Sequence, residues 1–136
     1  MAKRILVPVD GSPQSAAALQ FATEEWPDAD FVLLNVINPA NSGGRRSVLP
    51  TAAEDWYDRE REDAQKVFAE LAAETGIDPE TVITVGRIAP SIVDAAADVD
   101  HVVMGSHGRT GVSRVVLGSV AEAVVRHSPV PVTIVR

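Results

Sequence analysis

His101-Val102-Val103-Met104-Gly105-Ser106-His107-Gly108, followed after nine residues by Gly118-Ser119, decides the fold. A short apolar run passes directly into a glycine-bearing loop, and a helical pattern from about Ser119 to His127 begins where the loop ends. A strand delivered to a helix through glycines is part of a β-α-β unit. The alternation continues in both directions. Downstream, Ser128-Pro129 ends the helix and Val130-Pro131-Val132-Thr133-Ile134-Val135 reads as a fifth strand. Upstream, Pro90 is expected to open a short helix carrying Ile92, Val93, Ala96 and Ala97, after a β-branched strand at Thr81-Val82-Ile83-Thr84-Val85. The pattern is helical over 53–75, with Tyr57, Ala64, Val67, Phe68, Leu71 and Ala72 on one stripe and Gly76 beyond its end. Six carboxylates between Glu54 and Asp63 read as its solvated face. Phe31 to Ile37 is a second strand and Ile5 to Val9 a first. Between them Ser12 can cap a helix that has Pro13 at its first position, Ala18, Leu19, Ala22 and Trp26 on one face, and Pro27 as its stop.

The strands are near-continuously apolar rather than alternating, as in a parallel sheet covered on both faces. Five strands with four intervening helices predict a single α/β domain over residues 1–136, an open parallel sheet with right-handed crossovers. Two prolines test that scheme. Pro131 would remove a ladder donor, so the last strand should lie at an edge or begin irregularly. Pro8 sits inside a strand that belongs at the centre and demands a bulge or an unpaired position there. The polar stretch 38–51 reads as a long loop.

Composition narrows the function. Twelve basic against nineteen acidic residues give a net charge of −7, a poor basis for nonspecific nucleic-acid or anionic-membrane binding. There is no cysteine, hence neither a disulfide nor a thiolate metal site. No apolar run reaches the roughly 18 residues of a membrane span, so the expectation is a soluble, cytoplasmic protein. Only Lys3 and Lys66 are lysines. Acidic excess with few lysines fits a proteome adapted to high salt, and an ordinary acidic protein with GC-rich codon use explains it nearly as well.

In an open α/β sheet, ligands bind beyond the carboxyl ends of the strands where the strand order reverses. Asp10-Gly11-Ser12 and the Gly105–Ser119 segment occupy those ends. Glycines permit close approach of backbone N–H groups to a phosphate, and a helix N-terminus adds free donors and partial positive charge. Turn glycines and a serine cap remain the alternative reading. The P-loop pattern Gly-x4-Gly-Lys-Ser/Thr and the dinucleotide pattern Gly-x-Gly-x-x-Gly are both absent, which disfavours a P-loop ATPase and an NAD-dependent dehydrogenase.

Gly105-x-x-Gly108-x9-Gly118-Ser119, with Ile5-Leu6-Val7-Pro8-Val9-Asp10-Gly11-Ser12 at the start, Leu34-Asn35-Val36 at a strand end and Ser128-Pro129-Val130-Pro131-Val132 near the finish, resembles the ATP-binding class of the universal stress protein family over nearly the whole chain. The resemblance implies an adenine nucleotide alpha hydrolase-like fold with strand order 3-2-1-4-5. It implies Asp10 near the adenosine, with Pro8 beside it, and the Val36 backbone at the adenine edge. Met104, Gly105 and Gly108 would surround ribose and phosphates, and Gly118, Ser119 and Val120 would form the phosphate-binding helix start. ATP, with Mg²⁺ or Mn²⁺ held through its phosphates, is the implied ligand, and a homodimer through the last strand the implied assembly. The implied function is nucleotide-responsive signalling or protection under stress. A nucleotide-independent interaction protein and a slow ATP hydrolase are the rival readings.

No residue reads as catalytic or as a metal ligand. Ser106 and Ser119 lack a nucleophile-triad arrangement. Arg109 and Arg114 could pair with phosphates or be solvated. His107 reads as a loop residue bonded to backbone, and Trp26 and Trp56 as packing residues.

Overall fold

A computed structural model describes residues 2–41, 50–107 and 117–136. Its strands are β1 (Arg4–Pro8), β2 (Asp30–Ile37), β3 (Glu80–Val85), β4 (His101–Gly105) and β5 (Val132–Val135). Its helices are α1 (Pro13–Glu25), α2 (Pro50–Thr75), α3 (Ile88–Ala96) and α4 (Ser119–His127), with a 3₁₀ turn at Pro39–Asn41. The five strands form one sheet in the order β3-β2-β1-β4-β5, every neighbouring pair parallel. Gly108, Arg109 and Arg114, and most of the 38–51 loop, lie outside the described residues.

Alternation along the strands builds two cores. Ile5, Val7 and Val9, with Phe31, Leu33 and Val103, pack on one face against Ala18, Leu19 and Ala22 of α1 and Ala64, Phe68 and Leu71 of α2. Leu6, Val32, Leu34, Val102 and Met104 pack on the other against Ile92 and Ala96 of α3 and Ala121 and Val124 of α4. Each fully buried Leu or Ile removes enough apolar surface from water to stabilise the fold by about 1.5–3 kcal/mol before entropic costs. Most of the acidic first half of α2 is exposed, and its Arg61–Asp58 contact at 3.6 Å lies in solvent.

Several boundaries differ from the sequence expectation. α2 begins at Pro50 and α3 at Ile88, so Pro90 is the third residue of its helix rather than the first. Proline fits there because first-turn N–H groups have no intrahelical acceptor. β5 begins at Val132 instead of Val130. Val130 is diverted into a turn, its N–H donating to Ser128 Oγ at 3.2 Å and its carbonyl accepting from the same hydroxyl at 2.8 Å. β5 is an edge strand that starts after Pro131, whose carbonyl still accepts from Val102 N at 2.9 Å.

Pro8 closes β1 and shapes the centre of the sheet. Val9 N donates to Leu34 O at 2.9 Å, on the β2 side. Backbone groups of successive strand residues face opposite sides, so the Pro8 nitrogen faces β4, where it has no proton to give. Accordingly β1 pairs with β2 through Pro8↔Leu34 but with β4 only at Ile5↔His101 and Leu6↔Val102. The proline stands where β1 and β4 part at their carboxyl ends, at the switch point of the sheet.

Candidate functional site

The switch point gathers residues from three places in the chain. After β1, Asp10 Oδ1 accepts from Ser12 N at 2.9 Å, an Asx turn. Gly11 between them has φ +81°, a left-handed conformation that favours glycine. Ser12 then caps α1: its hydroxyl oxygen accepts from Ser15 N at 3.1 Å, while Ser15 Oγ donates to Ser12 O at 3.0 Å. Both serines are buried and satisfied, so this turn holds Asp10 against a fixed helix start.

Across β1, Asn35 Nδ2 donates to Val9 O at 3.0 Å, tying the end of β1 to β2. Leu34 O already faces β1, so the N–H and C=O of Val36, two residues on, face the same side beyond the point where β1 leaves the sheet. They offer one donor and one acceptor at a strand edge, which is what an adenine edge requires. In the sequence Asn35 stands out only as part of a strand end. Its role comes from a tertiary contact that spacing does not announce.

On the β4 side, Gly105 packs under α1. A Cβ there would lie 3.1 Å from Gln14 O. Ser106 is buried and bonded through both backbone groups, its N–H donating to Val135 O at 2.9 Å and its carbonyl accepting from Gly118 N at 2.8 Å. That second bond brings Gly118, the N-cap of α4, to the end of β4. A Cβ on Gly118 would stand 2.8 Å from Ser106 O. Gly118 has φ −69°, so space alone, and not backbone conformation, demands glycine. Ser119 is exposed and Val120 half-buried in the following turn, whose N–H groups lack acceptors within the helix. Met104 stands one residue before Gly105 at the end of β4. Its side chain is buried in the α3/α4 core, beneath the end of the strand.

His107 follows Ser106 and is bonded to its side chain, where the sequence leads one to expect a backbone contact. Its Nδ1 lies 2.9 Å from Ser106 Oγ, while its Nε2 is buried and has no hydrogen-bond partner among the described residues. The arrangement as a whole, parted strands, a capped turn bearing a carboxylate, strand-edge backbone groups and a helix N-terminus, suits an elongated anionic ligand with a planar heterocycle at one end.

The other features lie elsewhere. A cavity of about 240 Å³ at the amino end of the sheet is lined by Arg4, Asp30, Phe31 and Asp78, and its Arg4 pairs with Glu80 at 3.1 Å in solvent. His101, also at the amino end, contacts the Trp26 ring at 5.0 Å and Thr133 Oγ1 at 2.7 Å. Burial, and secondarily the charge of Lys3, lower its pKa below 6.5. Trp26 packs on Phe21 as well, and Trp56 on Tyr57, as packing residues do. No helix among the described residues is long and apolar enough to cross a membrane.

Comparison with known proteins bears on this site. The universal stress protein family model matches residues 1–136. The chain is 32% identical to universal stress protein YxiE of Bacillus subtilis, over the full length of both. It is 33% identical to a universal stress protein of Mycolicibacterium smegmatis over 97% of its own length, and spans 47% of that relative. Among solved structures it resembles hypothetical protein MJ0577, with a TM-score of 0.84, 30% identity and coverage of 99% and 96% of the two chains. Two more distant structures share the fold. A universal stress protein in complex with cAMP has a TM-score of 0.67 at 23% identity, covering 98% and 97%. An Arabidopsis thaliana family protein with AMP bound has a TM-score of 0.66 at 18% identity, covering 98% and 90%.

Proposed function

The chain belongs to the universal stress protein family, and we propose that it is an ATP-binding member, a cytoplasmic homodimer joined through β5 whose nucleotide state serves signalling or protection under stress. The observation that carries the reading is the parting of β1 and β4 after Leu6↔Val102, with the first turn of α4 held at the gap by the Ser106–Gly118 bond. Adenine nucleotides in two structures of the same fold support the ligand class.

In this reading the Val36 backbone meets the adenine edge, and Pro8 and Asp10 border the adenosine. Gly105 and Gly108 lie along ribose and phosphates over the floor made by Met104. Gly118, Ser119 and Val120 present N–H and hydroxyl donors to the phosphates. Bound ATP would supply a polyphosphate chain able to carry Mg²⁺ or Mn²⁺ mainly through its own oxygens. The protein's part is to bind and orient, and no hydrolytic step is assigned to it.

A second reading has an observation of its own. Gly118 is required by packing against Ser106 O and Gly105 is tightly packed against Gln14 O, with no ligand involved. A nucleotide-independent interaction protein would need them too. Gly118→Val therefore cannot separate the readings, since it would break the Ser106 contact in either case.

Ser119→Asp separates them. A carboxylate at the first position of α4 suits the helix dipole, so the fold is kept or slightly stabilised. The same charge repels a polyphosphate. Calorimetric titration of nucleotide-stripped protein with ATP and Mg²⁺ should give one site per chain in the wild type and at least tenfold weaker binding in Ser119→Asp, at an unchanged or higher melting temperature. Absence of saturable binding by the wild type would leave the nucleotide-independent reading.

A further inference from the structure

We propose that the outer edge of β3, with the acidic start of α2 beside it, is a docking site for a basic, extended segment of a partner protein, which joins the sheet as an outer strand. The inference is independent of the nucleotide reading. β3 stands at one end of the sheet and pairs with β2 alone among the described strands. Gly86 N donates to Ile37 O at 2.9 Å. The backbone groups of Thr84, Val82 and Glu80, in step with Gly86, therefore face β2, and those of Thr81, Ile83 and Val85 face away from it. Each of these three offers one N–H and one C=O that no described strand takes up. Such a row is a template for a further strand.

The surroundings of that edge state what strand fits. Residues two apart in a strand share a face, so Val85 projects on the same side as Ile83, which packs in the core beneath α1 and α2. Val85 lies past the end of that core and is 46% exposed. It lines a groove of about 250 Å³ with Glu54, Tyr57, Asp58 and Arg61. Those four stand at i, i+3, i+4 and i+7, one stripe along α2. Arg61 is engaged within the stripe, 3.6 Å from Asp58 and 5.9 Å from the centre of the Tyr57 ring. Glu54 has no ion pair among the described residues. Between Glu54 and Asp63 six carboxylates face two arginines. A lysine or arginine entering beside Val85 meets carboxylates and an aromatic ring with its charge, and the valine with its methylenes.

Charge selects the occupant. The β3 of a second copy carries no cation, and in a centred antiparallel pair it would set Glu80 beside Val85, a carboxylate against carboxylates. The opposite edge of the sheet has the other sign. β5 is followed by Arg136 and packed by α4, whose last turn carries Arg126 and His127. A basic strand is therefore steered to β3 and away from β5.

The probe is a short capped peptide of alternating lysine and valine, with a glutamate–valine peptide as control, titrated into the full chain at low salt and followed by amide NMR and hydrogen exchange. The lysine peptide should bind saturably with a dissociation constant below about 1 mM, and the glutamate peptide should not. At saturation the amides of Thr81, Ile83 and Val85 should shift and exchange more slowly, together with shifts at Tyr57 and Asp58. The double variant Glu54→Gln/Asp58→Asn should weaken binding by about fivefold or more at an unchanged melting transition. Thr81→Pro removes an N–H that faces away from β2, so it should keep the sheet and weaken binding by about threefold. Val85→Lys, at an exposed position, is the second charge variant should the double one fail to fold, and it too should weaken binding. Four results would each overturn the inference: no binding, equal binding of the two peptides, slowed exchange at Val132–Val135 instead of β3, or shifts on α2 without protection of the β3 amides. The same β3 shifts on raising protein concentration without peptide would make a second copy the occupant and overturn it as well.

Discussion

Individual residues at the carboxyl end of the sheet carry two kinds of constraint, and the structure separates them. Gly11 is held by conformation, Gly105 and Gly118 by space. A sequence motif of spaced glycines cannot tell these apart, because the Cβ collisions involve Gln14 and Ser106, residues outside the motif's fixed positions. His107 is legible only as a loop histidine for the same reason: that its Nε2 has no partner among the described residues is a property of its surroundings. His101 shows the opposite case, a histidine whose surroundings have an unambiguous electrostatic sign. Burial between Trp26 and Thr133, then Lys3, lowers its folded pKa, against an ordinary value of 6.5 in the unfolded chain. Above pH 6.5 the ring is neutral in both states and its packing contributes fully. As pH falls below 6.5 the unfolded chain takes up the proton first, so stability declines until the folded ring also protonates at its lower pKa. Urea midpoints of wild type and His101→Gln, measured from pH 7.5 to 5, should converge toward the acid end. A constant gap between the two curves would show that His101 contributes no proton linkage.

Elements whose ends carry their own chemistry were read correctly, and those whose ends depend on neighbours were not. α1 starts at the Ser12 cap and α2 stops before Gly76, each with a residue that satisfies or terminates backbone bonding locally, while α4 starts at Ser119 behind Gly118, which makes no side-chain cap bond but marks the break as a glycine. α3 begins at Ile88 behind Arg87, which makes no side-chain cap bond, so nothing in the sequence marked it. β5 lost two residues to a turn made by the Ser128 hydroxyl. Gly76 allows a clean measure of one such signal. Its φ is +72°, its N–H donates to Ala72 O at 2.9 Å, and an added Cβ would meet nothing within 4 Å. Gly76→Ala therefore tests conformation alone, without a packing clash. It should cost about 1 kcal/mol and lower the melting temperature by about 3–5 °C, with nucleotide binding untouched. A loss of less than about 0.3 kcal/mol would mean that the end of α2 relaxes out of the left-handed conformation at little cost.

At the scale of the whole molecule, topology was legible because alternation of apolar runs with helical periods leaves few ways to cover both faces of a parallel sheet. What the sequence left unexplained, Pro8 at the centre, is accounted for by the parting of β1 from β4, so the same residue marks the switch point and opens it. Charge is the remaining global property, and it is independent of the fold. A net charge of −7, with six carboxylates along the first half of α2, makes compaction work against self-repulsion. Repulsion among exposed charges is screened within about 10 Å at 0.1 M salt, so an ordinary acidic protein gains its stability by a few tenths molar and then levels off. A surface adapted to high salt continues to gain into the molar range. Only two lysines stand against ten arginines, and the Arg126–Glu122 and Arg4–Glu80 pairs lie exposed, so screening costs little attraction. Thermal unfolding midpoints in KCl from 0.05 to 3 M should therefore rise. A rise confined to the lowest concentrations assigns the composition to ordinary acidity, a rise throughout assigns it to salt adaptation, and a flat or falling curve removes charge repulsion as a factor in the stability of this fold.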